Sequence, residues 1–341
     1  MAIQFIQDTG LIGKTMQCNS CGRDMTWSER PDVHDGFHWR CQRRVAGARC
    51  NRSTSIMHGS WFQRSKLTLQ EIMLLTYDIV CREPATNIQK EYCFSWHTIA
   101  DWGMFCRETM LVFLEGCSVK TGGSNKTVEI DESKFGRRKY HRGHPVKGQW
   151  VFGGVERESG ETFLVTVKDR TADTLMAIIR DWIELGTTVI SDCSGAYRDL
   201  GTQGYTHQTV NHSILLVDPD TGAHTNTIEG TWHQVKVFIG QYNRGDDYEF
   251  HLSHYMFAAR CKAQGVPPFT QLLHLVANTD WSRCDPPEWT ARATCYTSLR
   301  LRNQVWTPFI AIMFRCPLRA YFHCHVPLII RSPAIIFTLQ F

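Results

Sequence analysis

The sequence predicts an α/β fold with a mixed sheet, preceded by a cysteine-rich head and a helical segment. Residues 16–62 are rich in Cys and Arg and have few long apolar runs. Residues 66–117 carry apolar side chains near helical spacing, and from Thr127 the spacing becomes that of strands. We therefore expect a head at 1–65, a helical segment at 66–120, an α/β domain at 127–277 and an unassigned tail at 278–341.

The charge of the chain is modest overall but unevenly distributed. The 341 residues carry a formal net charge of +4. Residues 1–66 contain ten Lys or Arg against five Asp or Glu, and residues 134–147 contain six Lys or Arg and no acid. Local basic patches suit a polyanion such as DNA, although a solvated surface is the alternative for either patch alone.

The cysteines and the hydropathy of the chain indicate in which cellular compartment the protein is found. Of fourteen cysteines, the first four cluster and the others are scattered, with no secretory leader pattern at the start of the chain. We expect a reducing compartment, nuclear if the source is a eukaryote and cytoplasmic or nucleoid otherwise. No run of about 18 uncharged apolar residues is present, so we expect no membrane association.

The head contains a pattern typical of a structural zinc site. Cys18 and Cys21 form a Cys-x2-Cys knuckle, and Cys41 and Cys50 follow at a looser spacing. Such a knuckle lets two thiolates reach one tetrahedral ion, and a hairpin can return the second pair. The sequence therefore predicts a zinc-ribbon-like head that binds Zn²⁺ through these four thiols. Possible substitutes for one cysteine are His34, Asp35 and His38, and four unrelated thiols are the alternative.

The helical segment predicts a DNA-binding unit similar to a helix-turn-helix. Pro84 marks a break between helices, and Ser95 is a suitable N-cap for a helix that runs from Trp96 to about Leu114. We expect residues 95–107 to contact DNA. The Gly-rich composition of residues 121–126 indicates a linker to the α/β domain.

The α/β domain has a recognisable order of elements. We expect a short strand at 127–130, a hairpin of strands at 149–155 and 162–167, and a helix at 171–185 that Gly186 closes. A strand at 187–191 and a helix from about 225 to 242 follow. The order β-β-β-α-β with a later helix is that of the RNase H-like fold, in which helices flank a mixed sheet.

Three acids lie at predicted strand ends and at a predicted helix start, where they could bind a divalent cation together. We expect Asp131 at the end of the first strand, Asp192 at the end of a later strand and Glu229 one turn into a helix. Sixty residues separate the first pair and thirty-six the second. Carboxylates that meet in one cleft are tolerated chiefly where a divalent cation such as Mg²⁺ or Mn²⁺ neutralises them. For any one acid, a capping or surface role is the alternative.

These acids lie within blocks that carry a resemblance over about residues 128–260. The blocks are Ile130 to Tyr140, Gly148 to Arg157, Ser191 to Cys193, Val210 to His212, and His224 to Glu229 with Trp232 and Lys236 after it. In these blocks the chain is similar to the Merlin and ISXO-type insertion-sequence transposases. The resemblance implies a DDE triad of Asp131, Asp192 and Glu229 acting with Mg²⁺ or Mn²⁺ on DNA ends.

Further residues are candidates for assisting roles. Asn226 is a rival for the third ligand, because it stands three residues before Glu229 and both can face one cleft. Lys134 begins a basic run that directly follows Asp131, where cations could hold phosphates, although an exposed hairpin is the alternative. The candidate DNA-binding residues are Arg137, Arg138, Lys139, Arg142 and Lys236.

Two departures from the family pattern keep a second function open. The family usually places an aromatic and then a basic residue after Asp192-Cys193, where this chain has Ser194 and Gly195. The usual ending is also lost past Ala259, and no acid occurs from Trp289 onward. We expect a homo-oligomeric cut-and-paste transposase acting on terminal inverted repeats and target DNA. The alternatives are a catalytically silent nuclear DNA-binding descendant and, less favoured, a structure-directed nuclease.

Overall fold

A computed structural model describes residues 2–45, 48–63, 65–116, 120–136, 148–210, 222–240 and 247–281. All of them belong to one compact unit, Met1–Asp285. Several predictions lie outside the described residues, namely those on the tail, on Asn211 and His212, and on Arg137, Arg138, Lys139 and Arg142. The boundaries of the four expected segments stay a prediction.

The head is a small antiparallel sheet with a second hairpin inserted. Strands β1 and β5 flank β2, and β3 pairs with β4. Its elements are α1 (Ala2–Asp8), β1 (Thr26–Glu29), β2 (Phe37–Arg40), β3 (Arg44–Val45), β4 (Ala48–Arg49) and β5 (Ser53–Ser55).

Three helices follow the head: α2 (Leu69–Val80), α3 (Ala85–Tyr92) and α4 (Trp96–Gly116). Helices α2 and α4 were predicted, whereas α3, which begins directly after Pro84, was not. A capping box between Thr68 and Glu71 starts α2, and an oxygen of Asp35 accepts a 2.7 Å hydrogen bond from the backbone N–H of Leu69. The turn between α3 and α4 places Cys93 in the left-handed region, and Ser95 accepts the N–H of Thr98 at 3.0 Å. The prediction of Ser95 as a helix cap is therefore confirmed.

The α/β part contains a five-stranded sheet in the order β12-β11-β7-β8-β9. Strands β7, β8 and β9 are antiparallel neighbours, whereas β11 is parallel to both β7 and β12. This topology confirms the RNase H-like fold. The elements are β6 (Thr121–Gly122), β7 (Thr127–Phe135), β8 (Gln149–Glu156), β9 (Thr162–Val167), α5 (Ala172–Trp182), β10 (Ile183–Glu184), β11 (Thr188–Asp192) and β12 (Thr206–Val210).

Several predicted element boundaries are wrong. Helix α5 ends at Trp182 rather than near Leu185, because the fully buried Ile183 continues in an extended strand that pairs with β6. The expected linker at 121–126 therefore begins with the strand β6. Strand β7 continues to Phe135 instead of ending at Ile130, because β8 pairs with it over its whole second half.

Three further helices complete the described chain: α6 (Asn226–Ile239), α7 (Tyr248–Ala263) and α8 (Pro268–Ala277). Helix α6 ends at Ile239 rather than near Tyr242, with Gly240 as its C-cap. One apolar cluster joins α6, α7 and α8 to α2 and α4 and to one face of the sheet, while α5 packs on the other face. No helix in these described stretches has the length and hydropathy needed to cross a lipid bilayer.

Candidate active site and cysteine cluster

The central strand β7 carries the first acid just beyond the point where its pairing with β11 ends. Glu129 is the last residue of β7 that pairs with β11, whereas Asp131 pairs only with Gly153 of β8. Asp131 is therefore in the middle of a nine-residue strand, and the expectation that it ends a strand is wrong. What ends near Asp131 is the pairing of the parallel strands β7 and β11, so Asp131 has a paired neighbour on the β8 side only.

The second acid lies level with the first on the neighbouring strand. Ile190 pairs with Glu129, so Asp192 and Asp131 each stand two residues beyond a paired position on adjacent parallel strands. Residues two apart on a strand share a sheet face, so both acids lie on one face of the sheet, just beyond the paired region. Asp192 ends β11, as predicted. Its Oδ1 accepts a 3.0 Å hydrogen bond from the backbone N–H of Ser194.

Helix α6 brings the third acid to the same face. Glu229 lies in the first turn of α6, as predicted, and Asn226 is the first residue of that helix. Both side chains are exposed. Residues three apart lie on one side of a helix, so the choice between Glu229 and Asn226 as a ligand stays open.

The indole of Trp232 connects α6 to the first acid. Its Nε1–H donates to Oδ2 of Asp131 at 2.9 Å, while the backbone N–H of Glu132 donates to Oδ1 at 2.7 Å. A Cβ on Gly153 would come within 2.8 Å of the Trp232 ring. Gly153 therefore leaves the space in which this ring crosses β8 and reaches Asp131.

The electrostatics of Asp131 show that the acids act on one another. Burial raises the pKa of Asp131 above its usual range, and the negative charges of Asp192 and Glu229 raise it further. The hydrogen bonds from Glu132 and Trp232 oppose this rise. A cation placed among these three acids would remove the repulsion, so the donor set fits a hard divalent ion such as Mg²⁺.

The three carboxylates do not converge on a single point. Across the described parts of the chain, the only group that brings three or more His, Cys, Asp or Glu ligand atoms within 4.8 Å of one another consists of four cysteines. A pair of ions about 3.5–4 Å apart does not require all its ligands to meet at one position.

A second acidic contact lies on the opposite face of β7. Glu132 accepts a short hydrogen bond from the hydroxyl of the buried Tyr197, which follows Asp192 in the chain. Burial raises the pKa of both groups. Through this contact, Glu132 holds the segment after Asp192 against β7.

The candidate basic residues are distributed unevenly. Lys134 is three residues after Asp131, so strand alternation places it on the opposite sheet face, where its Nζ is 5.5 Å from the centre of the Trp150 ring. Lys236 is exposed on α6, and its Nζ lies 5.6 Å from the Phe135 ring, on the same side as Asp131. An assisting role for Lys134 and DNA contact by Lys236 stay predictions.

The head brings all four predicted cysteines together. The sulfurs of Cys18 and Cys50 are 3.6 Å apart, as are those of Cys21 and Cys41, and all four lie within 4.8 Å of one another. The alternatives His34, Asp35 and His38 are not part of this group.

The loose spacing between Cys41 and Cys50 has a structural explanation. The hairpin β3–β4 occupies the residues between them, and the backbone N–H of Cys50 donates to the carbonyl of Arg43 at 2.8 Å at its base. The pairing of β3 with β4 therefore returns the chain to the cluster.

Thiol chemistry in the cluster favours a metal. A hydrogen bond from the backbone N–H of Ser20 lowers the pKa of Cys18 to about 7, so this thiol is ready to lose its proton near neutral pH. A backbone bond from Arg43 lowers the pKa of Cys41, but burial and the hydrogen bonds with the other thiols outweigh it and raise the pKa. Four thiols around one point are the tetrahedral donor set that Zn²⁺ prefers.

Sequence reasoning missed three residues of this site: Glu129, Gly153 and the role of Trp232. Glu129 is completely buried and contacts the start of α6. Its signal was the alternation of acids in Val128-Glu129-Ile130-Asp131, which places Glu129 and Asp131 on the same face of the strand.

Residues 122–259 match the family of the ISXO2-like transposase domain. This finding confirms the ISXO part of the resemblance, while the Merlin part stays a prediction. No curated protein matches the chain.

Among solved structures, the chain is similar to one from the intasome of simian T-cell lymphotropic virus in complex with PP2A regulatory subunit B56 gamma. The identity is 16% and the TM-score 0.28, over 41% of this chain and only 50% of that one. A second is the HTLV-2 integrase catalytic core domain in complex with magnesium, dimeric form (15% identity, TM-score 0.27, 39% and 86% covered). The BIV integrase catalytic core domain is a third (14%, 0.28, 40% and 84%).

Proposed function

We propose that the protein, whose residues 122–259 match the family of the ISXO2-like transposase domain, cuts DNA at the ends of a mobile element and joins them to a target. The observation that carries the proposal is the placement of Asp131 and Asp192 side by side on parallel strands, with Glu229 facing them from α6. Three rigid elements thus bring three candidate hard ligands to one face of the sheet.

We propose that each acid has a distinct support. Asp131 is held by Trp232 and by its own strand, Asp192 by the turn at Ser194, and Glu229 by the first turn of α6. A bound pair of Mg²⁺ or Mn²⁺ ions would supply the charge that activates the attacking oxygen and stabilises the leaving oxygen in phosphoryl transfer. Asn226, the first residue of α6, would assist from the same turn.

The change at Ser194 and Gly195 does not remove the support of Asp192. The bond to Asp192 comes from the backbone N–H of Ser194, which most residue types would also supply. Ser194 in turn caps a short 3-10 helix, Gly195–Tyr197, whose last residue contacts Glu132. This continuity favours an active enzyme over a silent descendant.

We propose that the head and α4 supply the surface that contacts DNA. Arg43, Arg44 and Arg49 are exposed on or beside the hairpin that the cysteine cluster anchors, and guanidinium groups of this kind bind phosphates. Trp96 is 49% exposed at the start of α4, next to the turn at Cys93. A Zn²⁺ ion held by the four thiols would fix the hairpin for this contact, and a homo-oligomer would bring two ends together.

The test uses the full chain and a plasmid that carries its coding sequence with the genomic flanks on both sides. With Mg²⁺ or Mn²⁺, we expect strand breaks at matching inverted repeats in those flanks, and chelator should abolish them. Asp131→Asn, Asp192→Asn and Glu229→Gln should each abolish cleavage while the protein still binds the flanking DNA in a gel-shift assay.

Asp199→Asn is the matched control, because Asp199 is an exposed acid close to Asp192 in the chain. It should cleave like the wild type. Cleavage that persists in chelator or in Asp192→Asn would refute the metal mechanism. A wild-type protein that binds the flanks and never cuts them, with either metal, would show instead a silent DNA-binding descendant.

A further inference from the structure

The buried carboxylate of Glu129 accepts three hydrogen bonds from the start of α6 and one from Arg157. Its Oε2 accepts the backbone N–H of Thr227 at 2.8 Å and that of Ile228 at 2.9 Å. Its Oε1 accepts the Thr227 hydroxyl at 2.8 Å and Nε of Arg157 at 2.6 Å. The positive charge of Arg157 and these donors offset the cost of burying the carboxylate.

These contacts make Glu129 an N-cap supplied by another element. Thr227 and Ile228 are the second and third residues of α6, and their N–H groups are the ones that an N-cap side chain ordinarily satisfies. A negative charge at this end of a helix is also favoured by the helix dipole. Arg157 adds a second link to the chain just before α6, since its Nη2 donates to the carbonyl of His224 at 2.7 Å.

The position of Glu229 follows from this arrangement. Strand β7 contacts α6 at two levels, through Glu129 at residues 227 and 228 and through Asp131 at Trp232. Glu229 lies between these two levels, directly after Ile228. Movement of the helix start by even about 1 Å would displace its carboxylate from the place that phosphoryl transfer needs.

We propose that Glu129 is a positioning residue, which caps α6 from the central strand and thereby sets the distance of Glu229 from Asp131 and Asp192. Glu129 does not itself touch the reacting atoms. The inference rests on the proposed function, because the placement of Glu229 matters only if it binds the catalytic cation.

The experiment compares Glu129→Gln with Glu156→Gln in the full chain. Glu156 is also a buried glutamate, on the adjacent strand β8, and accepts hydrogen bonds from Gly122 and Lys126 at 2.8 and 2.9 Å. Both variants lose one buried charge, but Glu129 is the one bonded to α6. A third variant, Thr227→Val, removes a hydroxyl donor while Glu129 stays, and it decides the matter if Glu129→Gln does not fold.

Three measurements are made on each variant: amide hydrogen exchange of residues 226–232, Mn²⁺ affinity by calorimetry, and plasmid cleavage. Glu129→Gln should exchange faster at 226–232 and bind Mn²⁺ about ten- to a hundred-fold more weakly, the range typical of groups that orient metal ligands. Thr227→Val should also speed exchange at 226–232 and weaken Mn²⁺ binding, but by smaller amounts. Glu156→Gln should keep wild-type values for both.

Wild-type Mn²⁺ affinity in both Glu129→Gln and Thr227→Val would overturn the proposal, whatever their exchange rates. An equal loss of affinity in Glu156→Gln would also overturn it, because the effect would then be general destabilisation. If the wild type binds no Mn²⁺ and cuts no DNA, the proposed function fails. Exchange at 226–232 then still decides whether Glu129 holds the start of α6.

Discussion

The cysteine cluster of the head and the carboxylates of the sheet are both candidate metal sites, but their ligand atoms are spaced differently. The four sulfurs lie within 4.8 Å of one another, whereas the three carboxylates do not reach that spacing. A protonated thiol is neutral, so four of them can approach closely. Ionised carboxylates repel one another, and rigid elements hold them near each other only because hydrogen bonds and packing oppose the repulsion.

This difference indicates different relations between metal and fold. Ligands of the head belong to short strands and loops that the ion itself would hold together. The candidate ligands of the sheet belong to a strand, a strand end and a helix that strand pairing and the apolar core hold in place. We therefore expect removal of metal to affect the structure of the head strongly and that of the sheet weakly.

The largest effect should come from the cysteines. Structural zinc binds zinc-finger peptides with an apparent free energy of about 10–16 kcal/mol, so losing one ligand should unfold the head. Cys18→Ser should contain no zinc by mass spectrometry and should lose hydrogen-exchange protection over residues 17–55. Cys93→Ser changes an exposed cysteine outside the cluster and should retain one zinc per chain. Full hydrogen-exchange protection of residues 17–55 in zinc-free Cys18→Ser would show that the head, like the sheet, does not depend on metal for its structure.

Divalent metal should stabilise the sheet region by an intermediate amount. At a concentration about a hundred times its dissociation constant, a ligand that binds only the folded state adds about 2.7 kcal/mol to stability. Mn²⁺ should therefore raise the melting temperature of the zinc-loaded wild type but not that of Asp192→Ala. Asp199→Ala should respond like the wild type. An equal response in all three proteins would place the ion elsewhere.

The hydrogen bond from Trp232 should contribute a smaller amount. Trp232→Phe removes the donor to Asp131 and should cost about 0.5–1.5 kcal/mol, the net value of one hydrogen bond. Because that bond lowers the pKa of Asp131, its loss raises this pKa, and Mn²⁺ binding should shift to higher pH.

Trp102→Phe is the control for this prediction. It removes a comparable indole donor, which bonds Thr76 at 2.8 Å in the helical layer. Calorimetric titrations at several pH values compare the two variants. A pH profile for Trp232→Phe that coincides with that of Trp102→Phe would show that the indole does not act through Asp131.

The smallest effect should be a gain in stability. The charge of Asp192 helps to raise the pKa of Asp131, so ionisation of Asp131 at neutral pH costs folding energy. Asp192→Asn should lower that pKa and stabilise the metal-free protein at pH 7 by about 0.2–1 kcal/mol, the range for partly exposed charge pairs. The gain should vanish below the pKa of Asp131, where the carboxyl is protonated. Denaturant unfolding at pH 7 and at low pH measures both values, and a loss of stability at pH 7 would contradict the repulsion.

The two regions also differ in how much their sequence predicted. The cysteine cluster was predicted from spacing, because Cys18 and Cys21 lie three residues apart and one turn brings them together. The order of strands and the placement of Asp192 and Glu229 were likewise readable, since a strand end and a first helical turn have local signals. The fold class followed from these local patterns.

Other features depended on which strands became neighbours. Asp131 was expected at a strand end, but β8 extends β7 beyond it while β11 diverges, and no local signal records that difference. The roles of Glu129, Gly153 and Trp232 arise from contacts between residues about 80 to 100 positions apart, which only the packing of α6 on the sheet creates. Sequence alone therefore determined which groups could bind metal, because ligand chemistry is a property of residue types. The tertiary structure decided how far apart those groups stand, because distance is set by packing and hydrogen bonds between remote segments.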